Sequence, residues 1–211
     1  MQDIPVFTTE NGVASLALKD VPYNAAAYIR IQDSCTPELL LEECVSFCRA
    51  VGAERIYATG HAYLEQYPLY TSIVRMQCQK DMLPQTDAAL FPVQEQTLET
   101  WRNIYNEKMR DVPNASYMTQ REAKQMLSAR GAYFVHRGDA LLGIGSVKEN
   151  KLESLASVIP GAGAEVVSAL SNAVFTDIVY LEVASENHRA MHLYRKLGFM
   201  PTLETARWYC I

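Results

Sequence analysis

Hydrophobic residues in the N-terminal part of the chain form short runs of strand length, separated by polar turn residues. Two such runs, 13–18 and 25–31, flank an Asp-Val-Pro-Tyr-Asn turn and predict two adjacent strands. Apolar residues then recur every three or four positions between Pro37 and Gly52, and Thr36 precedes them as a predicted N-cap. This periodicity predicts a helix.

Two further apolar runs, 55–59 and 70–77, predict another pair of strands. The periodicity stops between Gln79 and Pro92, where Asp, Pro, Gln and Thr dominate, so we expect this stretch to link two halves. The predicted organisation is an N-terminal half, a linker and a C-terminal domain: 1–80, 81–92 and 93–211.

The pattern of the C-terminal domain predicts two helices, three strands, and then helix, strand, helix and strand. The first helix has one apolar face and ends before Pro113, and the second begins at a capping box of Thr119 and Glu122. Gly138 and Asp139 occupy a tight hairpin turn. The elements that follow the two helices are predicted at 132–136, 141–147, 152–159, 166–174, 178–183, 187–197 and 207–211.

Composition is that of a globular protein. The 211 residues are 49% hydrophobic and 20% charged, which excludes collagen-like, disordered and disulfide-scaffold classes. The formal net charge of −5 argues against a nucleic-acid-binding surface spread over the domain, so no nucleic-acid partner is expected. No apolar run approaches the about 20 residues of a spanning helix, and the first residues lack a leader pattern. We expect a cytoplasmic protein without a membrane partner.

The cysteines and histidines do not indicate a metal site. The five cysteines include no C-x-x-C pair, and Cys44 and Cys48 have the helical spacing of small buried residues. His188 and His192 are also four apart, but without a third ligand they are predicted to be solvated helix positions. The prediction is therefore reduced thiols and no bound metal.

A glycine-containing turn at 160–164, Pro-Gly-Ala-Gly-Ala, lies between a predicted strand and a predicted helix. With the strand that follows, this order is typical of a parallel crossover unit, in which ligands bind at the carboxyl ends of the strands. Free N–H groups at the helix N-terminus suit phosphate. The turn lacks the third glycine of a dinucleotide fingerprint and the Gly-Lys-Ser/Thr of a Walker loop, so a purely structural role stays open.

The segment 181–199, LEVASENHRAMHLYRKLGF, is more specific. Asn187 is a predicted N-cap, an apolar stripe that includes Tyr194 follows, and Gly198 ends the helix. The segment resembles the GNAT superfamily of acyl-CoA-dependent N-acetyltransferases, which has Leu-Glu-Val, Asn, Ala and Leu-Tyr-x-Lys-x-Gly-Phe at the corresponding positions. The resemblance covers about residues 90–211 and implies an α/β fold with a mixed sheet.

The resemblance implies transfer of an acetyl group from acetyl-CoA to a small-molecule or peptide amine, in a cleft between two parallel strands that splay apart. Strand 152–159 would pair with the pantetheine arm, and a backbone N–H near Ser157 or Val158 would stabilise the oxyanion. The positions implied to bind acetyl-CoA are Ala156, Ser157, Val158, Gly161, Ala162, Gly163, Ala164, Glu165, Asn187 and Tyr194.

Two residues are implied to be catalytic. Tyr194 stands at the family's general-acid tyrosine, and Glu182 lies in a strand that should be apolar on both faces. In the ribosomal-protein alanine acetyltransferase branch, a glutamate and a tyrosine twelve residues apart are similarly placed as base and acid. Glu182 could equally form an ion pair or lie at a partly exposed strand end, Tyr194 could be a core aromatic, and Glu153 is a weaker candidate base.

Two positions depart from the family's pyrophosphate loop, Gln/Arg-x-x-Gly-x-Gly/Ala. If Gly163 is its first glycine, Pro160 replaces Gln/Arg and Glu165 replaces the last small residue. A carboxylate about 4 Å from a phosphate charge would repel it by about 4 kcal/mol at an effective dielectric of about 20, whereas on the solvent side it would favour the helix dipole. The alternative function is therefore a catalytically silent GNAT-fold module that binds CoA or regulates.

The N-terminal half contains a similar strand, helix and strand over 25–59, which mirror those over 152–184. This predicts a truncated GNAT-like repeat that has lost the glycine turn and does not bind CoA. It would complete the sheet or wall the acceptor cleft. Because a free sheet edge can pair with another chain, both a monomer and a homodimer are compatible with the sequence.

Overall fold

The computed structural model describes residues 3–211, which form eleven strands and six α-helices. In chain order the strands are β1 (Ile4–Thr9), β2 (Gly12–Ala17), β3 (Ala26–Asp33), β4 (Arg55–Thr59), β5 (Leu69–Gln79), β6 (Ala89–Pro92), β7 (Ala132–Arg137), β8 (Ala140–Lys148), β9 (Lys151–Ser157), β10 (Ile178–Ala184) and β11 (Met200–Cys210). The helices are α1 (Val21–Asn24), α2 (Pro37–Ala50), α3 (Leu98–Met109), α4 (Gln120–Ser128), α5 (Gly163–Ser171) and α6 (His188–Lys196). Across this described range, no helix is both long and apolar enough to cross a membrane.

The chain divides into two compact units. The first contains the residues up to Ile73 together with Glu204–Ile211, and the second is Val74–Leu203. The end of β11 pairs with β4, with Tyr209 opposite Ala58, and this pairing places Glu204–Ile211 in the first unit. The final strand is also longer than predicted, since it begins at Met200.

The first unit is a sheet with the strand order β1-β2-β3-β4-β11-β5. Strands β3 and β4 are parallel and joined by α2, which is the strand, helix and strand predicted over 25–59. Ile29 of β3 lies in one hydrophobic cluster with Leu40 and Cys44 of α2, and all three are fully buried. The spacing of these residues therefore gives α2 the buried face that the sequence predicts.

One detail of α2 differs from the prediction. Thr36 occupies the N-cap position, but its side chain makes no capping hydrogen bond. Its hydroxyl lies 3.0 Å from the side-chain oxygen of Asn11, to which it donates. A long-range partner therefore replaces the local one.

The second unit contains the strand order β5-β10-β9-β8-β7-β6 and the predicted succession of helices and strands. The capping box of α4 is present, because Glu122 accepts from the Thr119 N–H at 2.9 Å and Thr119 accepts from the Glu122 N–H at 3.3 Å. Strand β6 lies in the stretch predicted as a linker and pairs with β7, with Leu90 opposite Val135. That pairing orders the end of the predicted linker.

Two glycines of β8 allow α5 to lie close to the sheet. A Cβ at Gly145 would overlap Leu170 of α5, and a Cβ at Gly143 would lie 2.7 Å from Val166 Cγ2. Val166 and Leu170 are buried in the core of the second unit. The absence of these two side chains therefore sets how closely α5 packs on the sheet.

Candidate functional site

Strands β9 and β10 separate shortly after they begin to pair. The parallel register joins Lys151 to Tyr180 and Leu152 to Leu181 and, within residues 3–211, extends no further. On its other side, β9 carries a bulge, because one residue of β8 lies opposite two of β9, Ser154 and Leu155. Ser154 has a φ of 54°, in the left-handed region. The bulge bends β9 and opens a cleft beside it.

The backbone of β9 next to this cleft has a free donor. The Val158 N–H donates to Leu142 O at 2.8 Å, on the β8 side. Because successive residues of an antiparallel strand direct their backbone groups to opposite sides, Ser157 directs its N–H towards the cleft. Of the two residues proposed for oxyanion stabilisation, Ser157 is therefore available and Val158 is not.

Helix α5 begins at the cleft without a side-chain cap. Its N-cap is Ala162, whose methyl group cannot accept a hydrogen bond. The Ala162 N–H donates to Ile159 O and the Val166 N–H to Ala162 O, so the N–H groups of 163–165 are those that a helix start leaves without intrahelical partners. Together with the helix dipole, they favour an anion at this point.

Helix α6 contributes a cap and a hydroxyl. Asn187 accepts from the Ala190 N–H at 3.2 Å, as predicted. Tyr194 is 8% exposed, and its ring lies 5.8 Å from that of Phe199. Burial raises the pKa of Tyr194 to about 12, so its hydroxyl is protonated at neutral pH.

These elements enclose a cavity of about 440 Å³ in the second unit. Arg189 and Lys196 contribute positive charge to its wall, whereas Lys108 is paired with Glu107 at 3.1 Å, and no Asp or Glu of the described chain lines the cavity. In a protein of net charge −5, this concentration of positive charge is typical of an anion site. The cavity is lined by Lys108, Met109, Val112, Leu155, Ala156, Ser157, Gly161, Gly163, Val166, Val167, Asn187, Arg189, Ala190, His192, Leu193, Tyr194 and Lys196.

Glu165, expected close to a bound diphosphate, does not line the cavity. Both of its carboxylate oxygens accept from Arg137 Nη1, at 2.8 and 3.0 Å. The side chain therefore points to the end of β7, and its charge is balanced there. With the carboxylate directed to Arg137, the N-terminus of α5 stays open to an anion.

Glu182, the predicted base, also lies outside the cavity lining. Its oxygens lie 3.0 Å from Arg75 Nη2 and 2.9 Å from Lys151 Nζ, and Lys151 is 3.0 Å from Glu153 as well. Burial alone would raise the pKa of Glu182, but the hydrogen bonds from Lys151 and Arg75 outweigh it and hold the pKa below its usual value. The ion-pair alternative for Glu182 is thus present in the structure.

The cavity brings together six of the predicted site residues and leaves five outside its lining. Those that line it are Ala156, Ser157, Gly161, Gly163, Asn187 and Tyr194, and those that do not are Val158, Ala162, Ala164, Glu165 and Glu182. In the part of the chain that the structure describes, no three His, Cys, Asp or Glu side chains form a group that could hold a metal ion.

Sequence reasoning missed two contributions to the cavity wall. Lys108, Met109 and Val112 reach it from the end of α3 and the turn after it, and nothing in their spacing indicates this. The second contribution, Arg189 and Lys196 of α6, could have been found, because residues seven apart lie on one face of a helix.

Comparison with known proteins gives no match among family models or curated proteins. Solved structures are similar over nearly the whole chain. A conserved protein of unknown function from Staphylococcus epidermidis has a TM-score of 0.61 at 9% identity, over 99% of this chain and 93% of its own. A putative acetyltransferase from Pyrococcus horikoshii has a TM-score of 0.63 at 12% identity, over 95% of this chain and 69% of its own.

A third similar structure is a tandem GNAT protein from the clavulanic acid biosynthesis pathway. Its TM-score is 0.55 at 15% identity, over 95% of this chain and 78% of its own. All three likenesses concern the fold, and the last two carry acetyltransferase or GNAT names. The fold predicted from segment 181–199 is confirmed.

Proposed function

The chain has the fold of the GNAT superfamily, and we propose that its second unit transfers an acetyl group from acetyl-CoA to a primary amine. The observation that carries the proposal is the separation of β9 from β10 after two paired positions. It leaves the backbone of 155–157 beside the uncapped start of α5 and the hydroxyl of Tyr194, in one cavity.

The residues of this cavity fit acetyl-CoA, which supplies an acetyl group activated as a thioester. The unpaired edge of β9 suits the amides of the pantetheine arm, because a strand edge offers alternating donors and acceptors. The N–H groups of 163–165 suit the diphosphate. The cavity wall carries cations and, among residues 3–211, no carboxylate. This charge suits the three phosphate groups of acetyl-CoA.

Two groups of the cavity would act on the reacting atoms. The Ser157 N–H donates to the carbonyl oxygen as negative charge develops on it. As the amine nitrogen bonds to the carbonyl carbon and the carbon–sulfur bond breaks, the Tyr194 hydroxyl gives its proton to the sulfur, and the phenolate then takes up the proton that the nitrogen loses to become an amide. The raised pKa of Tyr194 keeps that proton in place until it is needed.

The amine must lose a proton before it attacks, and we retain Glu182 as the proposed acceptor of this proton. Because Glu182 does not line the cavity, the transfer is proposed to run through water. Arg75 and Lys151 keep the carboxylate ionised, and each carboxylate oxygen has a second lone pair with which to accept a proton. The acceptor itself is proposed to be a small-molecule or peptide amine.

Two measurements on the purified protein test this function. Calorimetry with acetyl-CoA is expected to give a micromolar Kd, and an amine panel with a free-thiol reagent is expected to give release of CoA that depends on the amine. Binding without thiol release from any amine would favour the catalytically silent module. No binding of acetyl-CoA would contradict both functions.

Glu165→Gln is expected to leave the affinity for acetyl-CoA within about twofold of wild type, because a group outside the cavity and paired with Arg137 contributes little to binding there. Calorimetry at about 0.15 M salt measures the change. A tenfold gain in affinity would mean instead that the carboxylate faces the diphosphate.

Glu182→Gln is expected to lower kcat/KM about tenfold without moving the acidic limb of the pH–rate profile. The pKa of Glu182 lies below its usual value, so the group stays ionised from about pH 6 to 9 and the limb reports the acceptor amine. Glu153→Gln is the matched control, because Glu153 shares Lys151 as a partner. Equal rates in wild type and Glu182→Gln would exclude Glu182 as the proton acceptor.

A further inference from the structure

A row of alternating charges crosses three strands of the second unit. Lys151 and Glu153 lie in β9, Glu182 in β10 and Arg75 in β5. Lys151 Nζ lies 3.0 Å from Glu153 and 2.9 Å from Glu182, and Arg75 Nη2 lies 3.0 Å from Glu182. The four side chains are 24 to 38% exposed, so a ligand can reach them, and their partial burial strengthens the interactions between charges.

The row stands where the cleft begins. Leu152 of β9 and Leu181 of β10 are the last paired positions of the two strands, and Glu153 and Glu182 follow them directly. Both leucines are buried in the core that contains α5, and successive side chains of a strand point to opposite faces of the sheet. The row therefore lies on the face opposite α5, away from the helix start proposed to bind the diphosphate.

Arg75 is the member of the row with donors to spare. Across residues 3–211, the only hydrogen bond of its side chain runs from Nη2 to Glu182, so Nη1 is unpaired, and Nε is buried without a partner. Its guanidinium lies 4.8 Å from the centre of the Tyr180 ring, and this contact favours one orientation of the group. Lys151, in contrast, already serves two carboxylates.

The row fits an acceptor that carries a carboxylate beside its amine. The unused N–H groups of Arg75 can donate to two carboxylate oxygens at once, which is the pairing that a guanidinium prefers. An α-amino acid bears its amine and its carboxylate on one carbon. With the carboxylate on Arg75, the amine therefore lies near Glu182, whose carboxylate is 3.0 Å from the guanidinium. Because the row contains two cations and two carboxylates, a zwitterion adds no net charge to it.

We propose that the acceptor is a free α-amino acid and that Arg75 binds its carboxylate. This inference rests on the proposed function, because it names the class of acceptor for the same reaction. Arg75 determines specificity: it fixes the carboxylate, leaves the amine within reach of Glu182 through water, and takes no part in the proton transfers. The N-terminus of a peptide has the amine without the adjacent carboxylate and is a poor acceptor.

Pairs of acceptors that differ only in the carboxylate test the inference. Alanine is compared with ethylamine, phenylalanine with 2-phenylethylamine, and leucine with 3-methylbutylamine, by release of free thiol from acetyl-CoA. Rates are compared at equal concentrations of the unprotonated amine, since the members of a pair differ in amine pKa. In the pair that reacts fastest, the wild type is expected to have a kcat/KM at least about tenfold higher for the amino acid.

Arg75→Gln is expected to remove this preference, so that the two members of a pair react within about twofold of each other, mainly through a higher KM for the amino acid. Arg75→Lys keeps the charge without the planar fork and is expected to retain a smaller preference. Thermal unfolding of each variant verifies that it folds.

Lys151→Gln is the matched control, because Lys151 and Arg75 are both cationic partners of Glu182. Loss of either partner slows both members of a pair through its effect on Glu182. Only the loss of Arg75 also removes the group that binds the carboxylate. Lys151→Gln is therefore expected to leave the ratio of the two rates unchanged.

The outcomes separate this inference from the proposed function. Release by the wild type that is as fast with the amines as with the amino acids would overturn the amino-acid acceptor and leave the acetyltransferase proposal intact. An equal change of the ratio in Arg75→Gln and Lys151→Gln would overturn the role of Arg75, because the effect would then be one of general charge. No release with these pairs or with any amine of the panel would contradict the proposed function itself.

Discussion

Gly161→Asp is expected to weaken acetyl-CoA binding about 100-fold. Gly161 lines the cavity directly before α5, and a Cβ added there would meet no atom within 4 Å. An aspartate at this position therefore fits sterically but places a negative charge beside the N–H groups proposed to hold the diphosphate. A repulsion of about 1 to 4 kcal/mol per pair of charges at about 4 Å is enough for this loss. Calorimetry with acetyl-CoA measures it.

Gly161→Asn is the isosteric control. Gly161 has a φ of 88°. This conformation costs about 1 kcal/mol for a residue other than glycine, and among those residues Asn and Asp tolerate it best. Both variants should thus lose similar stability in thermal unfolding, whereas Asn is expected to weaken binding less than about tenfold, because it removes no donor and adds no charge. Equal losses of affinity for Asp and Asn would show that shape, and not charge, matters at this turn.

The fold of the second unit could be predicted to a large extent because its signals are local. Helix α6 is an example: Asn187 caps it, its apolar positions recur at helical spacing, and Gly198 ends it with a φ of 89°. The same holds for the capping box of α4, whose partners Thr119 and Glu122 lie three residues apart. Interactions within one helical turn depend only on neighbouring residues, so the sequence contains them in full.

The shape of the cleft could not be predicted, because it depends on pairing between strands. The bulge in β9 gives Ser154 a left-handed backbone, a conformation that serine rarely adopts, and no turn residue indicates it. The separation of β9 from β10 is likewise a property of two strands. Which backbone N–H faces the cleft, that of Ser157 and not of Val158, follows only from this pairing.

The partners of the candidate charged residues are also distant in the chain. Glu182 hydrogen-bonds to Arg75 across 107 residues, and Glu165 to Arg137 across 28. Both carboxylates were predicted as site residues from their positions in a strand and a turn, whereas the cations that fix their orientation lie in β5 and β7. A charge in a motif therefore indicates a candidate, but its electrostatic state depends on the tertiary structure.

Tyr194→Phe is expected to lower kcat for acetyl transfer about 100-fold or more, while the Kd for acetyl-CoA stays within about twofold. The substitution removes only the hydroxyl, and the buried ring keeps its contact with Phe199. Without the hydroxyl, the sulfur must leave as an unprotonated thiolate. Steady-state rates of thiol release and calorimetry measure the two quantities.

A matched control distinguishes an acid from a packing residue, and the pH dependence of the loss tests the raised pKa of Tyr194. Because burial raises the pKa of Tyr194 to about 12, the wild-type hydroxyl stays protonated up to about pH 10, and the ratio of the two rates should be constant from about pH 7 to 10. Tyr133→Phe is the matched control, since Tyr133 packs against the same core and does not line the cavity. If Tyr133→Phe and Tyr194→Phe reduced kcat equally, the loss would reflect packing, and Tyr194 would not be the proton donor.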